Sequence, residues 1–223
     1  GAALILSARR ASSLEDIKRA CGNDPDLHGL PADLAELDTL PAHGARALKI
    51  YGHIDYMVHN AGVALRDRVV DTAFTIDQHI MAVNYFGPVV LTKALLPAML
   101  QRGSGCFVII SSLSGKYGGP QLSSYAASKH ALHGFFESLR AEVHAGGIRI
   151  TFIVPGFVRT PILSSAVTGG GGTYGKTLAA HETGMDPAEC ARQTLKAVAR
   201  GKEEALVGGP EMYTVHLKRL FPR

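Results

Sequence analysis

The stretch CFVIISS at 106–112 decides the fold together with two later stretches, SSYAASKHALHGFFESLRAEVHAGG at 123–147 and IRITFIVPG at 148–156. The first and third are near-continuous apolar runs, which are typical of strands buried on both faces of a sheet. The middle stretch ends in a Gly pair, which predicts a helix with a defined end. Strand, helix and strand in this order predict a right-handed β–α–β unit with parallel strands.

The same alternation of apolar runs and amphipathic stretches extends over all 223 residues. It predicts one domain, 1–223, with an α/β fold, in which helices cover both faces of a doubly wound parallel sheet of the Rossmann-like type. Further strands are predicted at AALILS (2–7), LHGLPADL (27–34), HIDYMVHNAG (53–62) and EALVGG (204–209).

Capping residues and prolines predict where helices begin and bend. Ser12 and Glu15 fit a capping box, and Asp186 is typical of an N-cap residue. A long helix is predicted at 76–103, and the two prolines inside it predict a bend or a break.

The strand exits are expected to meet at one edge of the sheet. In a parallel sheet all carboxyl ends lie on one side, and ligands bind in the crevice outside them. The exits expected to line this crevice are SARR (7–10), ADL (32–34), HNAG (59–62), SSLSG (111–115) and PGFVRT (155–160).

Composition narrows the functional classes. Apolar residues make up 46% of the chain and charged residues 19%, which is typical of a soluble globular domain. The net charge of +4 is spread out, so no basic stripe indicates nucleic-acid binding, and no apolar stretch makes membrane association evident. Three widely spaced cysteines, Cys21, Cys106 and Cys190, predict reduced thiols and a cytoplasmic location.

Three potential ligands share one face of the predicted helix at 123–147, namely His130, His133 and Glu137. A solvated helix face explains them better than a metal site, because no other ligand cluster accompanies them. No metal site is therefore predicted.

Tyr125 and Lys129 lie four residues apart, so one helical turn brings them to the same face. A free phenol has a pKa of about 10, and proton exchange near neutral pH requires a drop of about three units, or roughly 4 kcal/mol. An ammonium at about 4 Å supplies about 1 kcal/mol in water but about 4 kcal/mol at an effective dielectric near 20. The pair is therefore an acid–base unit only in a shielded crevice. Ser112, at a strand exit, adds a group that can hydrogen-bond a substrate oxygen.

Several motifs in order resemble the short-chain dehydrogenase/reductase family: Ser112 with Tyr125-x-x-x-Lys129, HNAG at 59–62, Asn84 in MAVNYFG, and PGFVRT at 155–160. The similarity covers about residues 1–207. The stretch from the serine through ASKHALHGFF is especially similar to the branch with the 11β-hydroxysteroid dehydrogenases and dehydrogenase/reductase SDR family member 7. The resemblance implies an enzyme acting on CH–OH groups, an oxidoreductase that moves a hydride between a nicotinamide cofactor and a carbonyl or secondary alcohol.

The resemblance also implies a role for individual residues. Tyr125 is implied as the proton donor and acceptor, and Lys129 as the group that lowers its pKa and holds the nicotinamide ribose. Ser112 is implied to orient the substrate oxygen, and Asn84 to support a water and proton relay. Besides Tyr125 and Lys129, cofactor contacts are implied for Asp33, Leu34, Asn60, Ala61, Gly62, Pro155, Gly156, Val158 and Thr160.

The exit of the first predicted strand bears on cofactor choice. An acidic residue there binds the ribose 2′-hydroxyl of NAD and repels a 2′-phosphate. Here Ala8 stands at the expected acidic position, with Ser7 before it and Arg9 and Arg10 after it. Guanidinium groups make bidentate, charge-assisted bonds with phosphate, so these residues predict NADP(H) as the cofactor.

The family's Gly-rich turn, T-G-x-x-x-G-x-G, does not precede the first predicted strand in this sequence. That turn seats the pyrophosphate on a helix N-terminus. We therefore expect an N-terminally truncated domain without its first strand, which binds NADP(H) poorly by itself. A catalytically impaired fragment with an assembly role is one alternative, and the resemblance implies a homodimer or a homotetramer. The tail at 210–223 is expected to form a surface helix.

The stretch GGGTYGKT at 170–177 matches the phosphate-loop pattern of nucleotide hydrolases, which gives a second alternative function. It follows a poor strand, however, and it falls within 161–185, where the resemblance implies a substrate lid. Four consecutive glycines suit a mobile flap. This lid and KYGGPQL at 116–122 are expected to line a pocket for a small-molecule carbonyl or alcohol of apolar character.

Overall fold

The computed structural model describes residues 2–221, without the side chain of Arg219. The strands in this range are β1 (Leu4–Leu6), β2 (Leu27–Gly29), β3 (Tyr56–His59), β4 (Gly105–Ile110), β5 (Ile148–Pro155) and β6 (Glu204–Val207). The α-helices are α1 (Ala11–Ala20), α2 (Leu40–Tyr51), α3 (Phe74–Met81), α4 (Gly87–Arg102), α5 (Ser123–Val143), α6 (Ala179–Glu182), α7 (Pro187–Ala199) and α8 (Tyr213–Leu220). The ends of the predicted domain and tail, at 1 and 222–223, lie outside the described residues.

Every strand pair is parallel, which confirms the predicted α/β class. Strands β3, β4, β5 and β6 form a four-stranded sheet in that order, with Val58 opposite Val108. Strands β1 and β2 form a separate two-stranded sheet. Within residues 2–221 no ladder joins β1 to β3, so the sheet is split at that point.

The core lies on both faces of the four-stranded sheet, which explains the near-continuous apolar sequences of β4 and β5. On one face Phe107 packs with Phe136 of α5 and Leu95 of α4. On the other face Val108 packs with Val198 of α7. Helices on both sides therefore hold the carboxyl ends of β4 and β5 in a fixed position.

The predicted long helix at 76–103 consists of α3, a π-helical turn at Ala82–Phe86 and α4. The Gly87 N–H donates to the Ala82 carbonyl, five residues earlier, as in a π-helix. Pro88 has no N–H and so cannot donate the next α-helical hydrogen bond. The break expected from the prolines therefore lies just before Pro88. By length and composition Phe74–Arg102 could cross a membrane, and here it packs against α2 and α5 as a core helix.

Two predicted helix starts have different outcomes. Asp186 caps α7 as predicted, and its Oδ1 accepts the Ala188 N–H at 2.9 Å. The predicted capping box of Ser12 and Glu15 is wrong, because α1 begins at Ala11 and its N-cap position has no side-chain hydrogen bond.

Candidate active site

Asn84 ties the exit of β3 to α5. Its side chain is almost fully buried, at 1% exposure. Its Oδ1 accepts the Val63 N–H at 2.8 Å, and its Nδ2 donates to the Val63 carbonyl at 2.8 Å and to Ser128 Oγ at 3.0 Å. The residue lies in the π-helical turn, a rare conformation that is frequent at functional sites. Both amide hydrogens are engaged, so the side chain positions neighbouring groups and has no proton left to donate to a water.

Lys129 lies where the ends of β3 and β4 meet α5. Its Nζ donates to the Ile110 carbonyl at 2.9 Å. A Cβ on Gly62 would stand 3.6 Å from this Nζ and 3.2 Å from Asn84 Oδ1, so a side chain there would press on Asn84 and touch the ammonium. Burial disfavours the ammonium and lowers the pKa of Lys129 to about 8.

Tyr125 is buried beside Lys129, at 8% exposure, and the Lys129 Nζ stands 5.8 Å from the centroid of its ring. The shielded setting that the acid–base pair requires is therefore present. Burial raises the pKa of Tyr125, and a hydrogen bond with Ser112 opposes that rise. The lowering of the phenol pKa expected from the lysine is absent in this arrangement, where the ammonium is engaged by a carbonyl.

Ser112 follows β4, and both its side chain and that of the neighbouring Ser111 are hydrogen-bonded. Its Oγ accepts the Ser114 N–H at 3.1 Å, which shapes the turn at the strand exit. The neighbouring Ser111 donates its N–H to the Ile153 carbonyl and pairs with His133 Nε2 at 2.8 Å. The prediction that His133 lies on a solvated helix face is therefore wrong. His133 is buried, and its ring stacks on Phe152 at a centroid separation of 4.3 Å.

Within residues 2–221 no cluster of potential ligands could hold a metal ion.

The segment at 161–185, predicted as a substrate lid and called the lid below, packs in the same cluster as Tyr125. Leu163 and Ala166 of the lid pack in one apolar cluster with Tyr125 and Leu65. The Val167 N–H donates to the Ala64 carbonyl at 2.8 Å, and the Arg66 N–H donates to the Val167 carbonyl at 2.9 Å. The lid is thus joined by backbone hydrogen bonds to the loop after β3.

The glycine-rich part of the lid forms a hydrogen-bonded turn, and the mobility expected of it stays a prediction. The Thr168 N–H donates to the Gly172 carbonyl at 2.8 Å, and Gly171 supplies a φ of 86°. A phosphate loop needs a buried strand before it and a helix directly after it. The turn at 170–177 follows irregular backbone, and the nearby helix α6 has only four residues. The geometry therefore opposes the phosphate-loop alternative.

The turn at 155–160 is bound by a C-terminal residue that sequence reasoning missed. The Phe157 N–H donates to Glu211 Oε1 at 3.3 Å, and a side chain on Gly156 would collide with that carboxylate. Val158 pairs with Met185 of the lid, and Thr160 is exposed. No local motif signals Glu211, because its contact joins residues more than fifty positions apart.

The residues predicted for the adenosine end follow the strands of both sheets, at the exits of β1, β2 and β3. Ser7 Oγ donates to the Leu30 carbonyl at 2.9 Å and lies 2.9 Å from His43 Nε2, so its hydroxyl already has protein partners. Arg9 and Arg10 are exposed, and neither has an ion-pair partner among residues 2–221. The other residues expected at this edge are partly or fully exposed: Asp33, Leu34, Asn60, Ala61 and Gly62.

The parallel sheet with helices on both faces defines a doubly wound α/β protein, and a buried Tyr–Lys pair lies at the carboxyl edge of that sheet. A profile of the family described as short chain dehydrogenase matches residues 1–171. The chain is 40% identical over 228 residues to a Drosophila melanogaster protein named dehydrogenase/reductase SDR family protein 7-like, covering 100% of this chain and 70% of the relative. It is 38% identical over 232 residues to dehydrogenase/reductase SDR family member 7B of Danio rerio, covering 100% of this chain and 74% of that relative.

A short-chain dehydrogenase structure from Streptomyces avermitilis superposes with a TM-score of 0.84 at 28% identity, covering 99% of this chain and 85% of that one. The chain therefore belongs to the short-chain dehydrogenase family, whose members are oxidoreductases that use nicotinamide cofactors. The predicted family membership is confirmed.

Proposed function

We propose that the protein is an NADP(H)-dependent oxidoreductase that moves a hydride between the cofactor and a carbonyl or secondary alcohol. The observation that supports this most strongly is the convergence of Ser112, Tyr125 and Lys129 at the end of β4, with both members of the acid–base pair buried. The Lys129 ammonium bonds to the Ile110 carbonyl in this arrangement, so we expect its charge to act on the phenolate that forms and not on the resting phenol.

In this proposal Tyr125, Ser112 and Lys129 each have a separate role in the proton transfer. In the reductive direction the Tyr125 hydroxyl donates its proton to the substrate oxygen, and the Ser112 hydroxyl hydrogen-bonds the same oxygen. Lys129 supplies positive charge beside the phenolate that forms. The nicotinamide, when bound, supplies or accepts the hydride.

Asn84 has a positioning role in this proposal, because its side chain is fully engaged by Val63 and Ser128. The water and proton relay expected at this residue stays a prediction.

The strand exits fit a nicotinamide dinucleotide. Gly62 leaves space directly in front of Lys129 Nζ, and a Cβ there would approach within 3.6 Å. Arg9 and Arg10 present two exposed guanidinium groups at the exit of β1, where a 2′-phosphate would be bound. These observations support NADP(H) over NAD(H).

The proposal is tested by Tyr125→Phe, with Tyr56→Phe on the exposed side of β3 as the control. Carbonyl-dependent NADPH oxidation is measured at cofactor concentrations up to the millimolar range. Loss of a general acid lowers kcat by about 100- to 10,000-fold, and an unfolding curve like that of the parent shows that the variant is folded. A Tyr125→Phe rate within a few-fold of the parent rate contradicts the proposal.

A further inference from the structure

The Arg66 guanidinium is a half-buried cation without a counter-ion. Its Nε is buried and has no hydrogen-bond partner, and within residues 2–221 the side chain has no ion-pair partner. The neighbouring Asp67 does not serve it, because Asp67 Oδ2 accepts the Gly169 N–H of the lid at 2.9 Å. Asp71 is paired with Arg68.

The backbone at Arg66 is held by the segment predicted as the lid and by the apolar cluster that contains Tyr125. The Arg66 backbone N–H bonds to Val167 of the lid. The preceding residue, Leu65, is fully buried and packs in the cluster that contains Tyr125. The Arg66 guanidinium lies 6.0 Å from the ring centroid of Tyr174, which packs against the same cluster.

A second unpartnered nitrogen lies within electrostatic reach of Arg66. The Nδ1 of His181 is buried and has no hydrogen-bond partner. Burial and the charge of Arg66 lower the pKa of His181, so the two side chains interact. The His181 ring contacts Phe157 edge-on at 5.1 Å, and Phe157 belongs to the turn at 155–160.

Arg66 thus contacts the loop after β3 and the segment predicted as the lid, and His181 contacts the turn after β5. A buried guanidinium N–H without a hydrogen-bond partner is unfavourable, and the groups that suit the planar donors of arginine are carboxylate and phosphate. A neutral imidazole whose free nitrogen carries hydrogen can donate to the same anion.

We infer that Arg66 and His181 bind an anionic group of the substrate, a carboxylate or a phosphate, while the substrate carbonyl lies at Tyr125. This assignment rests on the proposed oxidoreductase function. It refines the apolar substrate expected from the sequence into an amphiphilic one, with an apolar part and an anionic end.

The experiment compares three ketones of equal chain length, which end in a methyl, a carboxylate or a phosphate group. NADPH oxidation is measured for the parent protein, Arg66→Gln, Arg66→Lys and the control Arg68→Gln, an exposed arginine on the same loop that pairs with Asp71. The parent should prefer one or both anionic ketones, and the better of the two identifies the group. Arg66→Gln should lower kcat/KM by roughly 10- to 100-fold for the anionic ketones alone, with partial recovery in Arg66→Lys.

Equal turnover of the three ketones by the parent overturns the inference. An equal loss for neutral and anionic ketones in Arg66→Gln also overturns it, since a merely structural arginine would act in this way. A binding readout separates this inference from the proposed function. The Tm of the parent and of Arg66→Gln is measured with each ketone, without turnover. A rise in Tm with the anionic ketones in the parent but not in Arg66→Gln supports the anion site, even if no ketone is reduced. Equal Tm shifts in both proteins count against it.

Discussion

The two sheets of this molecule are built differently. The four-stranded sheet has β4 and β5 buried on both faces between α4, α5 and α7. The two-stranded sheet has three-residue strands, and Leu4 at its start is 46% exposed. It is tied to the rest by individual contacts such as Ser7 with His43, and Tyr51 Oη with the Asp26 carbonyl at 2.6 Å.

This difference separates the two halves of the proposed function. The acid–base residues are positioned by continuous strand ladders and a packed core, which resist local opening. The residues expected to choose the cofactor lie on a small sheet with few buried side chains. We therefore expect changes in the large sheet to affect global stability and chemistry, and changes in the small sheet to affect local order and cofactor preference.

The largest expected effect is on the free energy of unfolding, and it tests whether the two sheets unfold separately. Phe136→Ala removes a fully buried ring between the large sheet and α5, and it should lower the free energy of unfolding by about 3–5 kcal/mol. The matched change Leu14→Ala, in α1 against Gly29, should cost less and should increase hydrogen exchange only in α1, β1 and β2. Denaturant unfolding and amide exchange measure both. Global acceleration of exchange by Leu14→Ala would show that the two sheets unfold as one unit.

The next effect is the pH dependence of stability that the buried Lys129 of α5 should cause. Burial lowers the pKa of Lys129 from 10.5 to about 8, so between these pH values the unfolded chain binds a proton that the folded chain does not. The free energy of unfolding should therefore rise with pH across this window, by up to about 3 kcal/mol, and this rise should be absent in Lys129→Met. Lys93→Met, at an exposed position of α4, is the control. Parallel stability–pH curves for the parent and Lys129→Met would mean that the lysine is solvated.

The smallest effect sharpens the role of the two-stranded sheet. Arg9→Ala should reduce the NADPH-over-NADH ratio of kcat/KM by roughly 10-fold, because one charge-assisted hydrogen bond contributes about 1.5 kcal/mol. Arg19→Ala is the control, since Arg19 is exposed on α1 and pairs with Asp16. An unchanged ratio in Arg9→Ala, or equal efficiency with both cofactors in the parent protein, would remove the expected preference.

The parts of the fold that could be predicted are those encoded by local pattern. The apolar runs at 106–112 and 148–156 became β4 and β5, and Asp186 caps α7 as its position indicated. The spacing of Tyr125 and Lys129 placed both on one helix face, because helical periodicity is a property of the backbone.

Other features depend on what packs around a residue and could not be predicted locally. His133 looked like part of a solvated face, yet Phe152 and Ser111 bury it. The direction of the Tyr125 pKa depends on desolvation and on where the lysine ammonium points, and neither follows from spacing.

Two residues of the site carry no sequence signal at all. Arg66 belongs to no motif, and its isolation is visible only because Asp67 is engaged by the lid backbone. Glu211 reaches the turn at 155–160 from the far end of the chain. Both contacts join segments that are distant in sequence.

The sequence by itself determined the parallel α/β class, the order of the elements, and which side chains stand at strand exits and on the helix that carries the pair. These follow from short-range rules of periodicity, capping and strand direction, which need no knowledge of neighbours. The tertiary structure alone decided that the sheet is split, that residues of 161–185 pack in one cluster with Tyr125, and that Arg66 has a buried N–H without a partner. Burial, proton affinity and unpaired charge are set by surrounding atoms, and those atoms come from distant parts of the chain.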